Sequence, residues 1–307
     1  MKKDILTLLD LTQTDFDALL DRAIRLKAMH KSGVSHTPLK GKTLGLIFNK
    51  ASTRTRLSFE TAMAQLGGHP IFISEQDTQI ARDEPVSDTA RVVSRYLDGL
   101  AIRTYSQDLL NAFAEYASIP VINALTDLYH PCQILSDIQT IIECKGDYSS
   151  LKIAWVGDGN NVAHSWINAA AVIGLHIELA CPPDYQPRDD IVEQACLTGR
   201  GCIRLLTDPI EAVRDADVVY TDVWASMGQE REHQKRKRVF EPYQVTRALL
   251  AHAKPDAIVM HCLPAHRDEE ISTGVLEGPA SVVWDQAENK LHMAKAILEK
   301  LLSDKAA

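Results

Sequence analysis

The chain has 307 residues, 45% hydrophobic and 24% charged, with a formal net charge of −8 at pH 7. That make-up belongs to a globular protein long enough for two domains with their own cores, and its acidic balance argues against a nucleic-acid or membrane-surface partner. The N-terminus lacks a sustained apolar stretch, no later run reaches membrane-spanning length, and six scattered cysteines without a CxxC pair read as reduced thiols in a cytoplasm.

The elements alternate along the chain. A helical pattern at 15–30 precedes an apolar strand at 42–48, which passes through Ser52-Thr53-Arg54-Thr55-Arg56 into a helix at 53–66 that stops at Gly67-Gly68. Strands at 70–74, 99–104 and 120–123 come after it, with helices at 87–97, 107–116 and 132–143 between and beyond them. Polar turn residues at 145–150 mark a domain boundary. Strands at 151–156, 175–179, 202–206, 216–221, 257–261 and 281–284 come next, interleaved with helices at 162–173, 188–197 and 243–251, and a final helix spans 287–302. The strands are continuously apolar, as expected when helices cover both faces. The fold class is therefore α/β, with two doubly wound parallel sheets, over domains 1–145 and 146–286.

In such folds ligands bind at the carboxyl ends of strands, so the polar clusters there carry the functional reading. Ser52 reads as the cap of the helix after it, and free first-turn N–H groups, three hydroxyls and two guanidinium groups suit a phosphate. The alternative is a solvated cap with two surface arginines. Arg103 ends an apolar strand and either faces a ligand or snorkels from the sheet end. His130-Pro131-Cys132-Gln133 offers an imidazole and a carboxamide, with Pro131 suited to a first helical turn; a lone histidine is as often structural.

Gly157-Asp158-Gly159-Asn160-Asn161 invites a dinucleotide reading, but Val162 stands where a third glycine is needed, and two amides suit a polar small molecule better. Asp222 leads into Trp224, Ser226, Met227 and Gly228 and is suited to an amine, while the charged run 229–238 reads as a solvated loop or a lid. His261-Cys262-Leu263-Pro264 closes another strand. The spacings of His130, Cys132, His261, Cys262 and His266 match no standard metal motif, so no metal is expected.

STRTR, Arg103, HPCQ, DGNN, D-x-x-x-SMG and HCLP, in this order and spacing, resemble the aspartate/ornithine carbamoyltransferase family over residues 48–290. D-x-x-x-SMG with HCLP favours ornithine over aspartate as acceptor. The resemblance implies a carbamoyl phosphate domain and an amino-acid domain linked by two helices, the last, about 287–307, returning to the first domain. It implies a homotrimer, or a multiple of trimers, in arginine metabolism, with no cofactor. Ser52, Thr53, Arg54 and Thr55 would hold the phosphate, with Gln79 supplied by a neighbouring subunit. Arg103, His130 and Gln133 would reach the carbamoyl group. Asn161, Asp222, Ser226 and Met227 would bind L-ornithine, and Cys262 and Leu263 would lie against the reacting amine. Lys290 stands where the family usually has arginine, keeping the charge without the planar fork.

Overall fold

The structure is a computed structural model that describes residues 3–74, 84–198, 200–225 and 232–303. It divides into two compact units, Met1–Gln139 with Glu288–Ala307, and Thr140–Ala287. Each is an α/β unit built on one wholly parallel sheet.

In the first unit, α1 (Gln13–Lys31) starts with a capping box, the Thr12 hydroxyl accepting from the Asp15 N–H and the Asp15 carboxylate from the Thr12 N–H. The sheet is formed by β1 (Thr43–Phe48), β2 (His69–Ser74), β3 (Gly99–Arg103) and β4 (Val121–Leu125), in the order β2-β1-β3-β4. The intervening helices are α2 (Arg54–Gln65), α3 (Val86–Val93) and α4 (Gln107–Tyr116), and α5 (Pro131–Lys145) leaves the sheet. All five residues of β3 are buried, and Ile47, Leu100, Ile102, Phe113 and Val121 pack in one apolar core. The order reverses between β1 and β3. The crevice of such a sheet opens at that reversal, here beyond Phe48 and Arg103, which face each other across the ladder.

The second unit repeats the logic with β5 (Lys152–Val156), β6 (His176–Ala180), β7 (Cys202–Leu206), β8 (Val218–Thr221) and β9 (Ile258–His261), in the order β7-β6-β5-β8-β9. Its helices are α6 (Asn161–Ile173), α7 (Asp189–Thr198), α8 (Pro209–Val213), α9 (His233–Phe240), α10 (Arg247–Leu250) and α11 (Thr273–Leu276). The reversal lies between β5 and β8, so the loops after Val156 and Thr221 share a crevice. The last helix, α12 (Val283–Leu302), begins in this unit and ends in the first.

Several expected elements are corrected. The strand at 281–284 is a single bridge: Val259 donates to the Ala280 carbonyl and Val282 donates back to Val259, after which the Gln286 N–H turns to Val282 and starts α12. The helix at 243–251 shrinks to α10, because Val245 is held extended against Glu270 and Thr246 caps the short helix after it. The helix at 87–97 stops at Val93. Ser52 does not cap α2: Thr53 already has helical dihedrals (φ −80, ψ −58), its carbonyl takes the Leu57 N–H, and among the described residues no side chain caps the turn.

Candidate active site

In the first unit, the chain leaving β1 passes directly beside the end of β3: the Asn49 N–H donates to the Arg103 carbonyl at 2.8 Å. Lys50, buried, pairs with Asp127 and lies 4.1 Å from the Tyr105 ring centroid, which fastens the loop ahead of α2. Thr55 is buried in the first turn of α2, whereas Ser52 and Arg54 are half-buried and Thr53 is exposed. Arg56 is committed elsewhere, donating to Glu60 at 2.9 Å and stacking 3.5 Å over Phe72. Arg54, two residues earlier on the helix, points from a different face than Arg56.

Pro131 opens α5 and sets His130 just ahead of it. Gln133 lies within the first turn, its carboxamide donating to Asp137 at 2.8 Å and accepting from the Lys290 ammonium of α12. Arg103, His130, Gln133 and Lys290 are all buried. Polar groups are not gathered like this without a purpose for their hydrogen bonds. Burial, reinforced by the positive charges of Lys290 and Arg103, holds His130 well below the usual imidazole range, so it is neutral at physiological pH. Burial likewise pushes the Cys132 thiol up to about 12, and the thiol donates to the Asn123 carbonyl at 3.3 Å.

In the second unit the loop after β5 is shaped by its glycines. Gly157 has φ +139, and Gly159 passes so close to Gln186 and Pro187 that a Cβ there would lie 2.2 Å from the Pro187 nitrogen. Asn160 caps α6, its side-chain oxygen accepting from Val162 and Ala163 while its amide donates to Asp222 at 2.8 Å. Asn161 is the first residue of the helix. Asp222, buried at the end of β8, accepts further from its neighbour Val223 at 2.8 Å and from the Cys262 thiol at 2.9 Å. Leu263 adopts φ +56, a strained region for a branched side chain, and its N–H donates to His261 Nδ1 at 2.8 Å.

The run read as a solvated loop contains α9, and one of its arginines is inside the protein. Arg236 donates to Asp158 at 3.0 Å and to the Trp224 carbonyl at 2.7 Å, with its guanidinium 4.7 Å from the Tyr185 ring centroid. Burial, with Asp222 and Glu232 nearby, outweighs the pull of Arg236 and pushes the Asp158 carboxyl up to about 6. The reading from sequence missed Lys50, Asn160 and Arg236 as positioning groups. Asn160 carried a usable signal, an asparagine directly before a helix. For Arg236 the hint was its spacing of four from Phe240, which places both on one helix face. Gln79, Ser226 and Met227 lie outside the described residues.

His261, Cys262 and Asp222 bring three metal-ligating side chains together. Both ring nitrogens of His261 are engaged within the protein, Nδ1 by the Leu263 N–H and Nε2 by Glu270 at 3.1 Å.

The model of the carbamoyl-P binding domain of aspartate/ornithine carbamoyltransferase matches residues 3–143, and that of the Asp/Orn binding domain matches residues 149–301. The chain is 60% identical over 302 residues to an ornithine carbamoyltransferase of Syntrophus aciditrophicus, covering 98% of this chain and 100% of that protein. The ornithine carbamoyltransferase structure from Pyrococcus furiosus superposes with a TM-score of 0.95 at 48% identity, covering 100% of this chain and 98% of that one. The anabolic ornithine carbamoyltransferase of Campylobacter jejuni gives a TM-score of 0.92 at 40% identity, covering 97% of this chain and 98% of that one. Two parallel-sheet units, polar clusters at both strand reversals and matches to both family domains lead to one conclusion: the chain belongs to the aspartate/ornithine carbamoyltransferase family.

Proposed function

We propose that the chain is an ornithine carbamoyltransferase, moving the carbamoyl group of carbamoyl phosphate to the δ-amine of L-ornithine to give L-citrulline and phosphate. The observation that carries this reading is the buried set Arg103, His130, Gln133 and Lys290 beside the uncapped start of α2, in a chain whose relatives carry that name. It acts in arginine biosynthesis, as a cytoplasmic homotrimer or a multiple of trimers; the anabolic relative supports that direction.

The roles rest on charge and hydrogen-bonding capacity. The phosphate dianion sits on the first turn of α2, held by its N–H groups with Ser52, Thr53, Arg54 and Thr55, and by Gln79 of a neighbouring subunit. Arg103, neutral His130 and Thr55 donate to the carbamoyl oxygen, and Gln133 holds the carbamoyl nitrogen. Lys290, already against Gln133, adds positive charge toward the phosphate. Asn161, Asp222, Ser226 and Met227 hold ornithine, with Cys262 and Leu263 beside its reacting amine.

An alkyl amine has a pKa near 10.4, so well under about 1% of it is the neutral nucleophile at pH 7.5. The site must favour that form and hold it about 3 Å from the carbonyl carbon. Attack then moves charge onto the carbamoyl oxygen, where preformed donors are worth most; losing one costs about 3–4 kcal/mol of barrier. Because His130 is held neutral, it meets that charge as an N–H donor and not as an imidazolium. The carbamoyl C–O bond then breaks, and the departing phosphate, still bound to α2, takes up the proton the amine gives up.

The test is a colorimetric assay of ureido product with carbamoyl phosphate and, separately, ornithine, acetylornithine, aspartate and putrescine, each repeated with Arg54→Ala. Citrulline from ornithine alone, lost in the variant, is expected. Product from another acceptor overturns the reading of Asp222, and activity unaffected in Arg54→Ala overturns the phosphate site.

A further inference from the structure

Among the described residues, one cluster away from those assigned to the two substrates has the composition of a metal site. His233 is the first residue of α9, and His266 and Glu269 lie in the loop after β9. Their ligating atoms all lie within 4.8 Å of one another, with His233 Nε2 already 3.0 Å from Glu269 Oε2. The two imidazole rings stand nearly perpendicular (81°) with centroids 6.3 Å apart. We propose that His233, His266 and Glu269 form a binding site for a divalent transition-metal ion of borderline softness, zinc above all.

Two imidazoles and one carboxylate are a recognised three-ligand set for zinc, which leaves further positions to water. Bonds of about 2.0–2.2 Å to a tetrahedral ion separate the ligands by about 3.4 Å. The His233–Glu269 pair is close to that spacing, and the half-exposed His266 ring brings a nitrogen within 4.8 Å of both partners. The surroundings hold the ligands as an outer shell should. The Lys237 ammonium grips the other carboxylate oxygen of Glu269 at 3.0 Å, leaving Oε2 turned to His233. The loop is braced by the Glu269 N–H on the His266 carbonyl at 3.0 Å and by the His266 N–H on Glu270 at 2.6 Å.

The site is separate from the Asp222–His261–Cys262 group, whose histidine is engaged at both nitrogens and whose third member is a thiol. Occupancy would tie the first turn of α9 to the loop behind β9. The test needs no catalytic assay, so its outcome is independent of the proposed reaction. The full chain, stripped with a chelator, is titrated with zinc chloride by calorimetry and with cobalt(II) in the visible and near-ultraviolet.

The expected result is one ion per chain with Kd at or below about 10 µM, and cobalt d–d bands without a thiolate charge-transfer band. Binding should weaken at least about 10-fold in His233→Ala, His266→Ala and Glu269→Gln. The metal-free variants should melt within a degree or two of the parent, about the effect of a surface change. Saturation absent at about 100 µM, binding unchanged in the three variants, or a thiolate band would overturn the assignment.

Discussion

Replacing Arg236 with methionine keeps most of the side-chain volume and removes the guanidinium from a buried pair. Two hydrogen bonds are lost, to Asp158 and to the Trp224 carbonyl, together with stacking over Tyr185. Removing one partner of a buried pair costs about 3–5 kcal/mol. Asp158 can escape part of this cost by taking up a proton, because its carboxyl already titrates at about 6 with the arginine present and moves higher without it. Linkage gives the sign: a carboxyl raised in the folded state holds a proton that the unfolded chain releases, so stability falls as pH rises through its titration. Below pH 6 the parent is protonated as well, and the charge–charge part of the arginine's contribution vanishes. The penalty in Arg236→Met should therefore be about 4 kcal/mol at pH 7.5 and smaller by about 1.5 kcal/mol at pH 6. All four tryptophans, Trp155, Trp166, Trp224 and Trp284, lie in the second unit, so urea unfolding tracked by tryptophan fluorescence reads the affected unit. Adding Asp158→Asn should remove the pH-dependent part. A penalty below about 1 kcal/mol at pH 7.5, or one that does not change with pH, would refute the reasoning.

Asn160→Ala should cost about 2–3 kcal/mol, combining a lost helix cap with a lost donor to buried Asp222, and should raise the Michaelis constant for ornithine while that for carbamoyl phosphate stays put. Equal changes in both constants would argue against a local effect. Gly159→Ala forces a Cβ to within 2.4 Å of the Gln186 carbonyl carbon, backbone that cannot step aside, and should cost at least about 2 kcal/mol in the same urea experiment. A variant as stable as its parent would mean that the loop is free to shift. Lys290→Arg should lower the Michaelis constant for carbamoyl phosphate, since a planar fork engages two oxygens where an ammonium on Gln133 engages one; an unchanged or higher value removes Lys290 from the site.

The strands that carry the site were legible because each is a short apolar run ended by an abrupt polar cluster, and both crevices fall at such ends: Phe48 and Arg103 in one sheet, Val156 and Thr221 in the other. Periodicity reads one element at a time. It could not show that Asp158 meets Arg236 across 78 positions, or Gln133 meets Lys290 across 157. Nor does charge tell buried Arg236 from its exposed neighbours Lys235, Lys237 and Arg238; only the spacing of four to Phe240 marks its helix face. The run 281–284 misled for the opposite reason. Ser, Val, Val and Trp favour a strand, but only one bridge to β9 is available before the chain is committed to α12.

Asp222 carries a further consequence in its lone pairs. A carboxylate offers about four directions to donors. Val223 and the Cys262 thiol occupy two on one oxygen, and Asn160 takes one on the other. Among the described residues these are its donors, and they leave one direction, on the Asn160 side. A group with one well-aimed N–H can use that opening, whereas a guanidinium fork, needing two adjacent directions at once, would have to displace Asn160 and uncap α6. On the proposed reading, the exclusion of arginine, the longer guanidino amino acid, is therefore built into the start of a helix, as a question of geometry more than of charge.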